Sequence, residues 1–130
     1  MAANAEQIKV EEKGDYLQVT LQAYESEKQM ESQISAMYDA VDQRHAPRLL
    51  VDCRATHKRI PIMELYDLCI YLVSKFGHLH TRMAVLASPE ATYPDRFGEN
   101  VVRNRGLDLI RFVAHEQEAL DWLLDRKAES

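Results

Sequence analysis

The sequence predicts an α/β fold, with an N-terminal β-hairpin followed by alternating helices and strands. The expected sheet is five-stranded, mixed and mainly parallel, with about four helices. Two short all-apolar runs, Leu49-Leu-Val51 and Met83-Ala-Val-Leu-Ala87, read as strands buried on both faces. Segments of helical periodicity, 11 to 20 residues long, alternate with them to give the order ββαβαβαβα. Right-handed crossovers then lay the helices over the sheet.

In the hairpin, Ile8, Val10 and Glu12 alternate with polar neighbours, Lys13-Gly14-Asp15 turns the chain, and Tyr16, Leu17, Val19 and Leu21 return it. A helix over residues 25–45 follows, with Ser26 as its cap and Gln29 placed for a capping box. Met30, Ile34, Met37, Tyr38 and Val41 form its apolar stripe, and Pro47 forbids its continuation. After the 49–51 strand, Pro61 opens a helix that runs to Phe76 and stops at Gly77. The 83–87 strand leads into a loop at 88–94, and Asp95 is placed to cap a helix reaching Arg105. Leu107, Leu109, Ile110, Phe112 and Val113 make the last strand, and a closing helix spans 115–126. Ala119, Leu120, Leu123 and Trp122 are its expected inner face.

Composition narrows the class. The 130 residues suit one domain, 1–130, with an ordered core over about 7–126. A net charge of −5 argues against nucleic acid as partner. No apolar run approaches the ~20 residues of a membrane span, so integral membrane association is not expected. The N-terminus lacks the basic and apolar regions of a secretory signal. Cys53 and Cys69, the only cysteines, fit no metal-ligand spacing, and reduced thiols in a cytoplasm are the simplest reading.

The helix over 61–76 is apolar around most of its circumference: Ile62, Leu65, Tyr66, Leu68, Cys69, Ile70, Leu72, Val73 and Phe76 exceed one stripe. A second cover is needed beyond the sheet, and a neighbouring helix, an identical subunit or an apolar ligand would each supply it. Met63, Tyr66, Ile70, Tyr93 and Phe97 are the candidate ligand- or partner-binding residues, since the loop after the fourth strand and the start of this helix share one sheet edge.

The loop before that helix carries Arg54, His57, Lys58 and Arg59, a candidate anion site at a helix N-terminus. It has no glycine to wrap a phosphate, and a solvated loop facing acidic neighbours is the plainer reading. For Arg54, Asp52 or Glu64 is the expected partner. Cys53 closes the strand, where a helix dipole and Arg54 would activate a thiolate; a small buried hydrophobe is the simpler role. His78 and His80 flank Leu79, a pair zinc would accept only with further ligands that the sequence does not place nearby. No catalytic residue, metal or cofactor is assigned.

The chain resembles the SpoIIAA-like branch of the STAS superfamily, domains related to anti-sigma-factor antagonists. The resemblance is carried by Leu50-Val-Asp-Cys-Arg54, Arg82-Met-Ala-Val-Leu-Ala87, Phe97-x-Glu99, Arg105-Gly106, Ile110-Arg-Phe112 and Glu118-Ala-Leu-Asp-Trp-Leu123, and it spans residues 8–124. It implies a switch or binding module, and this branch is also likened to CRAL-TRIO lipid-carrying domains. Its relatives' phosphorylatable Ser has no counterpart in Arg59-Ile-Pro-Ile-Met63; Thr56 lies several residues too early. The expected function is a non-catalytic module binding a protein partner, itself as a homodimer, or an apolar small molecule through the 61–76 helix. The alternatives are a small enzyme or anion-binding protein built on the Cys53–Arg59 loop, and an anti-sigma-factor antagonist phosphorylated at Thr56.

Overall fold

Gly14 adopts a left-handed backbone (φ 87°) in the turn joining β1 (Ile8–Glu12) to β2 (Leu17–Leu21), a conformation glycine reaches without a Cβ clash. The structure, a computed structural model, describes residues 8–93, 96–106 and 108–125. Within them follow α1 (Glu27–Arg44), β3 (Arg48–Asp52), α2 (Ile62–Phe76), β4 (Arg82–Leu86), a 3-10 turn (Pro89–Ala91), α3 (Phe97–Asn104), β5 (Ile110–Val113) and α4 (Glu116–Leu123). The predicted α/β architecture is present: an N-terminal hairpin, then alternating helices and strands around a five-stranded mixed sheet. The strands lie in chain order, β1-β2-β3-β4-β5; β1 and β2 are antiparallel and every later pairing is parallel.

Because each parallel connection advances by one strand in the same direction, crossovers of one hand place α1, α2 and α3 on the same face. There Leu17, Val19, Leu49, Val51 and Met83 of the sheet pack with Met37, Val41, Leu68, Leu72 and Val102 of the helices. The closing helix α4 takes the other face, where Leu50, Ala84, Leu86 and Val113 meet Ala119 and Leu123. The pleat explains the apolar centre of β3: Leu49 and Val51 point to one layer and Leu50 to the other. Burying each such side chain contributes roughly 1.5–3 kcal/mol. Trp122 sits at the rim of the α4 layer with the Arg82 and Arg111 guanidinium carbons 4.3 and 5.5 Å from its ring centre.

Local sequence chemistry sets the helix ends. Ser26 Oγ accepts from the Gln29 amide (3.0 Å), while Gln29 Oε1 accepts from the Glu25 amide (3.3 Å), one residue earlier than a strict capping box. α2 begins after Pro61 with no side-chain cap. Its excess apolar surface is covered mainly from within the chain: Leu68, Cys69, Leu72 and Phe76 are buried, with α1 on one side and α3 on the other. Most boundaries agree with the sequence reading within one or two residues; those around the last two helices and the last strand have tertiary causes. Arg96, in a left-handed conformation (φ 58°), precedes α3; the predicted cap Asp95 lies outside the described residues. β5 is confined to four residues, and Leu107 also lies outside the described set. α4 stops at Leu123 because the chain turns at Asp125 (φ 58°), which pairs with Arg82 at 2.8 Å; Arg126 is not among the described residues.

Gln33 is an instructive exception to the apolar stripe of α1. It is fully buried, and its side chain accepts from the Gln22 amide at 2.7 Å and donates to the Gln22 carbonyl at 3.5 Å, tying α1 to the end of β2. Gln33→Leu keeps the volume but leaves a part-buried backbone amide unpaired. It should lower unfolding stability by about 1–3 kcal/mol, read from urea denaturation with an unchanged m-value.

Candidate functional site

The parallel strands β3, β4 and β5 all end on one edge of the sheet. From that edge the chain leaves β4 towards the α3 face and leaves β5 towards the α4 face, so adjacent strands send their connections to opposite sides. Such a divergence opens a crevice at the strand C-termini, the usual ligand position in open α/β sheets. Here it opens a cavity of about 380 Å³.

The floor of the cavity is apolar: Met37, Leu72, Met83 and Val85 line it in the depth, and Val51 and Leu21 close the sheet side. The remaining wall comes from the strand ends and the segment after β4: Ala87 is buried, while Ala91, Thr92, Tyr93, Arg96 and Phe97 are partly or fully exposed. Tyr93 and Phe97 pack edge to face with ring centres 6.2 Å apart. The Tyr93 hydroxyl donates to the Ile60 carbonyl at 2.8 Å, which joins the segment after β4 to the loop before α2. Arg59 reinforces the junction: its Nε donates to the Thr92 carbonyl at 2.8 Å, and its guanidinium lies 5.2 Å from the Tyr93 ring centre.

Glu99 anchors the outer wall. Only 3% exposed, it accepts from the Phe112 amide at 3.1 Å and pairs with Arg96 and Arg103 at 3.2 and 3.6 Å. Gly98 allows the close approach behind it, since a Cβ there would stand 3.2 Å from the Phe112 ring and 3.7 Å from Cys69 Sγ. The wall therefore holds a buried carboxylate whose charge is already met by two arginines.

The candidate binding residues divide between two places. Tyr93 and Phe97 line the cavity. Met63 projects outward and is 69% exposed, Tyr66 accepts a hydrogen bond from Arg105 on the outer side, and Ile70 packs half-buried against the main core. The anion candidates also separate. Arg54 makes a two-pronged contact with Asp52 at 2.9 and 3.1 Å and approaches Glu116 at 3.7 Å, while Glu64 takes the Tyr24 hydroxyl instead. His57 is exposed on the same loop as Arg59. The Thr56 hydroxyl, 8% exposed, accepts from the Tyr24 amide at 2.8 Å and thereby holds the loop against the end of β2. His78 shares a 2.9 Å hydrogen bond with the Tyr38 hydroxyl. Among the described residues no cluster of three or more metal-ligating side chains forms, and no helix is long and apolar enough to cross a membrane.

The residues around Glu99, Arg96, Ala87 and Ala91 escaped the sequence reading, although one signal was present. Glu99 occupies a helix whose other inward positions are Gly98, Val101 and Val102, and a carboxylate among them demands a partner.

Both cysteines line the cavity. Burial pushes the Cys53 thiol up to about 12, with the charge of Asp52 adding to it, and burial alone pushes Cys69 up to about 12. A protonated, enclosed thiol is a poor nucleophile. At pH 7–8 neither should react appreciably with iodoacetamide in the folded protein, and both should react in guanidinium, as read by intact mass. At Asp52, burial favours the neutral acid. Hydrogen bonds from the Arg54 side chain and backbone outweigh that and hold the carboxyl below its ordinary 3.8. A depressed folded-state value contributes stability above the unfolded pKa that is lost as pH falls through the folded one. Arg54→Ala should therefore cost no more than about 1 kcal/mol at neutral pH, since Arg54 is exposed. That difference should vanish in acid below the usual carboxylate range, measured by urea unfolding across pH. No family model and no curated protein matches the chain, so the chemistry of the site rests on its own geometry.

Proposed function

We propose that the chain is a non-catalytic binding module of the SpoIIAA-like/STAS type, and that it carries one apolar small molecule in the cavity at the C-terminal edge of its sheet. The cavity itself is the observation that carries this reading. At about 380 Å³ it lies in the size range of small-molecule sites, whereas ordinary interiors leave few voids larger than a water molecule. Water is a poor filler, because the depth of the cavity is lined by Met, Leu and Val side chains that offer it no hydrogen bonds. An aliphatic or small-ring guest restores the lost contacts.

The other readings find less support. Thr56 is buried and its hydroxyl is engaged, which disfavours it as a phosphorylation switch. Arg54 is committed to Asp52 and Glu116, which weakens an anion site or enzyme centred on it. The greasy side of α2 is covered largely by α1 and α3, which removes most of the surface a homodimer or protein partner would use.

Organic extraction of the purified protein followed by mass spectrometry should release an apolar molecule near one equivalent. Nile red should bind the emptied protein with saturable, single-site fluorescence enhancement. Ala87→Phe, which pushes a ring into the mouth, should cut Nile red affinity by at least about tenfold, the scale expected when a packed site loses shape complementarity. An emptied wild-type protein that takes up no dye, and that yields nothing on extraction, would sink the carrier reading.

A further inference from the structure

We propose that residues 57–63, at the mouth of the cavity, form a docking tip for an anionic membrane surface. Among the described residues the exposed large hydrophobics are Ile62 and Met63, 46% and 69% exposed, and they are adjacent. Ahead of them, across Ile60 and Pro61, stand His57, Lys58 and Arg59, all exposed. None of these three takes part in the ion pairs found among the described residues. Two cations, Lys58 and Arg59, ahead of two bare apolar side chains match a membrane surface in both respects: phosphate headgroups for the cations and the acyl boundary for Ile62 and Met63. The first turn of α2 has no side-chain cap and so adds free backbone donors suited to phosphate oxygens.

The carboxylates beside the patch are Glu64, which accepts from the Tyr24 hydroxyl, and Glu90, which accepts from the Ser88 hydroxyl and lies near His57, so the headgroup contact falls chiefly to Lys58 and Arg59. A protein partner fits less well, because two apolar side chains fall far short of the ~800 Å² per side that a stable protein interface uses. A bilayer needs only a tip. The tip is also structurally continuous with the cavity: Thr56 and Ile60 line it, and Tyr93 and Arg59 bind the two segments together. This inference deepens the carrier reading by naming the surface at which an apolar ligand would enter or leave.

The test is co-sedimentation of the full chain with vesicles of phosphatidylcholine alone and of phosphatidylcholine mixed with phosphatidylglycerol, at low and high salt. Wild type should pellet with the anionic vesicles, less so at high salt, and remain in the supernatant with the neutral ones. Lys58→Gln should weaken binding about fivefold, and the Ile62→Asp/Met63→Asp double variant by at least about tenfold, with unchanged melting temperatures because these side chains are exposed. Absence of pelleting, equal pelleting with neutral vesicles, or tip variants that pellet like wild type would overturn the proposal. So would retention on immobilised polyglutamate without any vesicle binding, which would assign the tip to an acidic protein. Vesicle binding is read whether or not the cavity takes up dye, so a failed dye-uptake experiment leaves this result standing and the two readings fail separately.

Discussion

The arrangement at the sheet edge depends on the contact between the Glu99 carboxylate and the Phe112 amide. β5 is an edge strand among the described residues, and the amide of Phe112 is satisfied not by a strand but by a side chain of α3. Glu99 supplies the missing acceptor from α3 at 3.1 Å. Burying a carboxylate is costly unless its charge is met, and Arg96 and Arg103 meet it from the preceding residues and the next turn of the same segment. The contact draws α3 over the edge of the sheet, where Gly98 rests against Phe112 and Cys69. The helix therefore leans on the sheet's margin, and the space behind it becomes the cavity.

Topology explains why that space lies at the strand C-termini. A sheet whose strands run in chain order stacks its crossover helices on one face until the last strand, after which the chain is free to cover the other. The exchange of faces falls between β4 and β5, and the segment after β4 that bridges the gap holds the short 3-10 turn Pro89–Ala91 before α3. Small residues there, Ala87 and Ala91, keep the mouth open, and the aromatic pair Tyr93 and Phe97 shapes its rim. The basic loop before α2 is drawn to the same rim through Tyr93, Arg59 and Thr56, so an element that reads as an isolated anion loop becomes part of the cavity's entrance.

Much of the architecture was legible residue by residue. The apolar runs at the centre of β3 and β4 could only be central strands, and the period of Met30, Ile34, Met37 and Val41 could only be a helix face. Gln33 interrupts that face without breaking it because its amide serves Gln22. The boundaries around α3 and α4 were less legible. They depend on Arg96 and Asp125 taking left-handed conformations, which residues other than glycine adopt only when tertiary partners hold them. The surplus apolar surface of α2 was visible in the sequence, but what covers it was not, since α1 and α3 approach it from segments distant along the chain.

The sequence by itself determined the element order, the hairpin and the central, doubly buried strands, because hydrophobic period and turn chemistry are local properties of the chain. It also placed Tyr93 and Phe97 near the start of α2 by topology alone. Only the tertiary structure decided that these aromatics border a largely apolar cleft, that Met63 and Ile62 stand outside it in solvent, and that Glu99 forms part of its wall. A cavity is the volume that packed elements fail to fill. Its existence depends on helix placements set by long-range contacts, and no local pattern of residues records them.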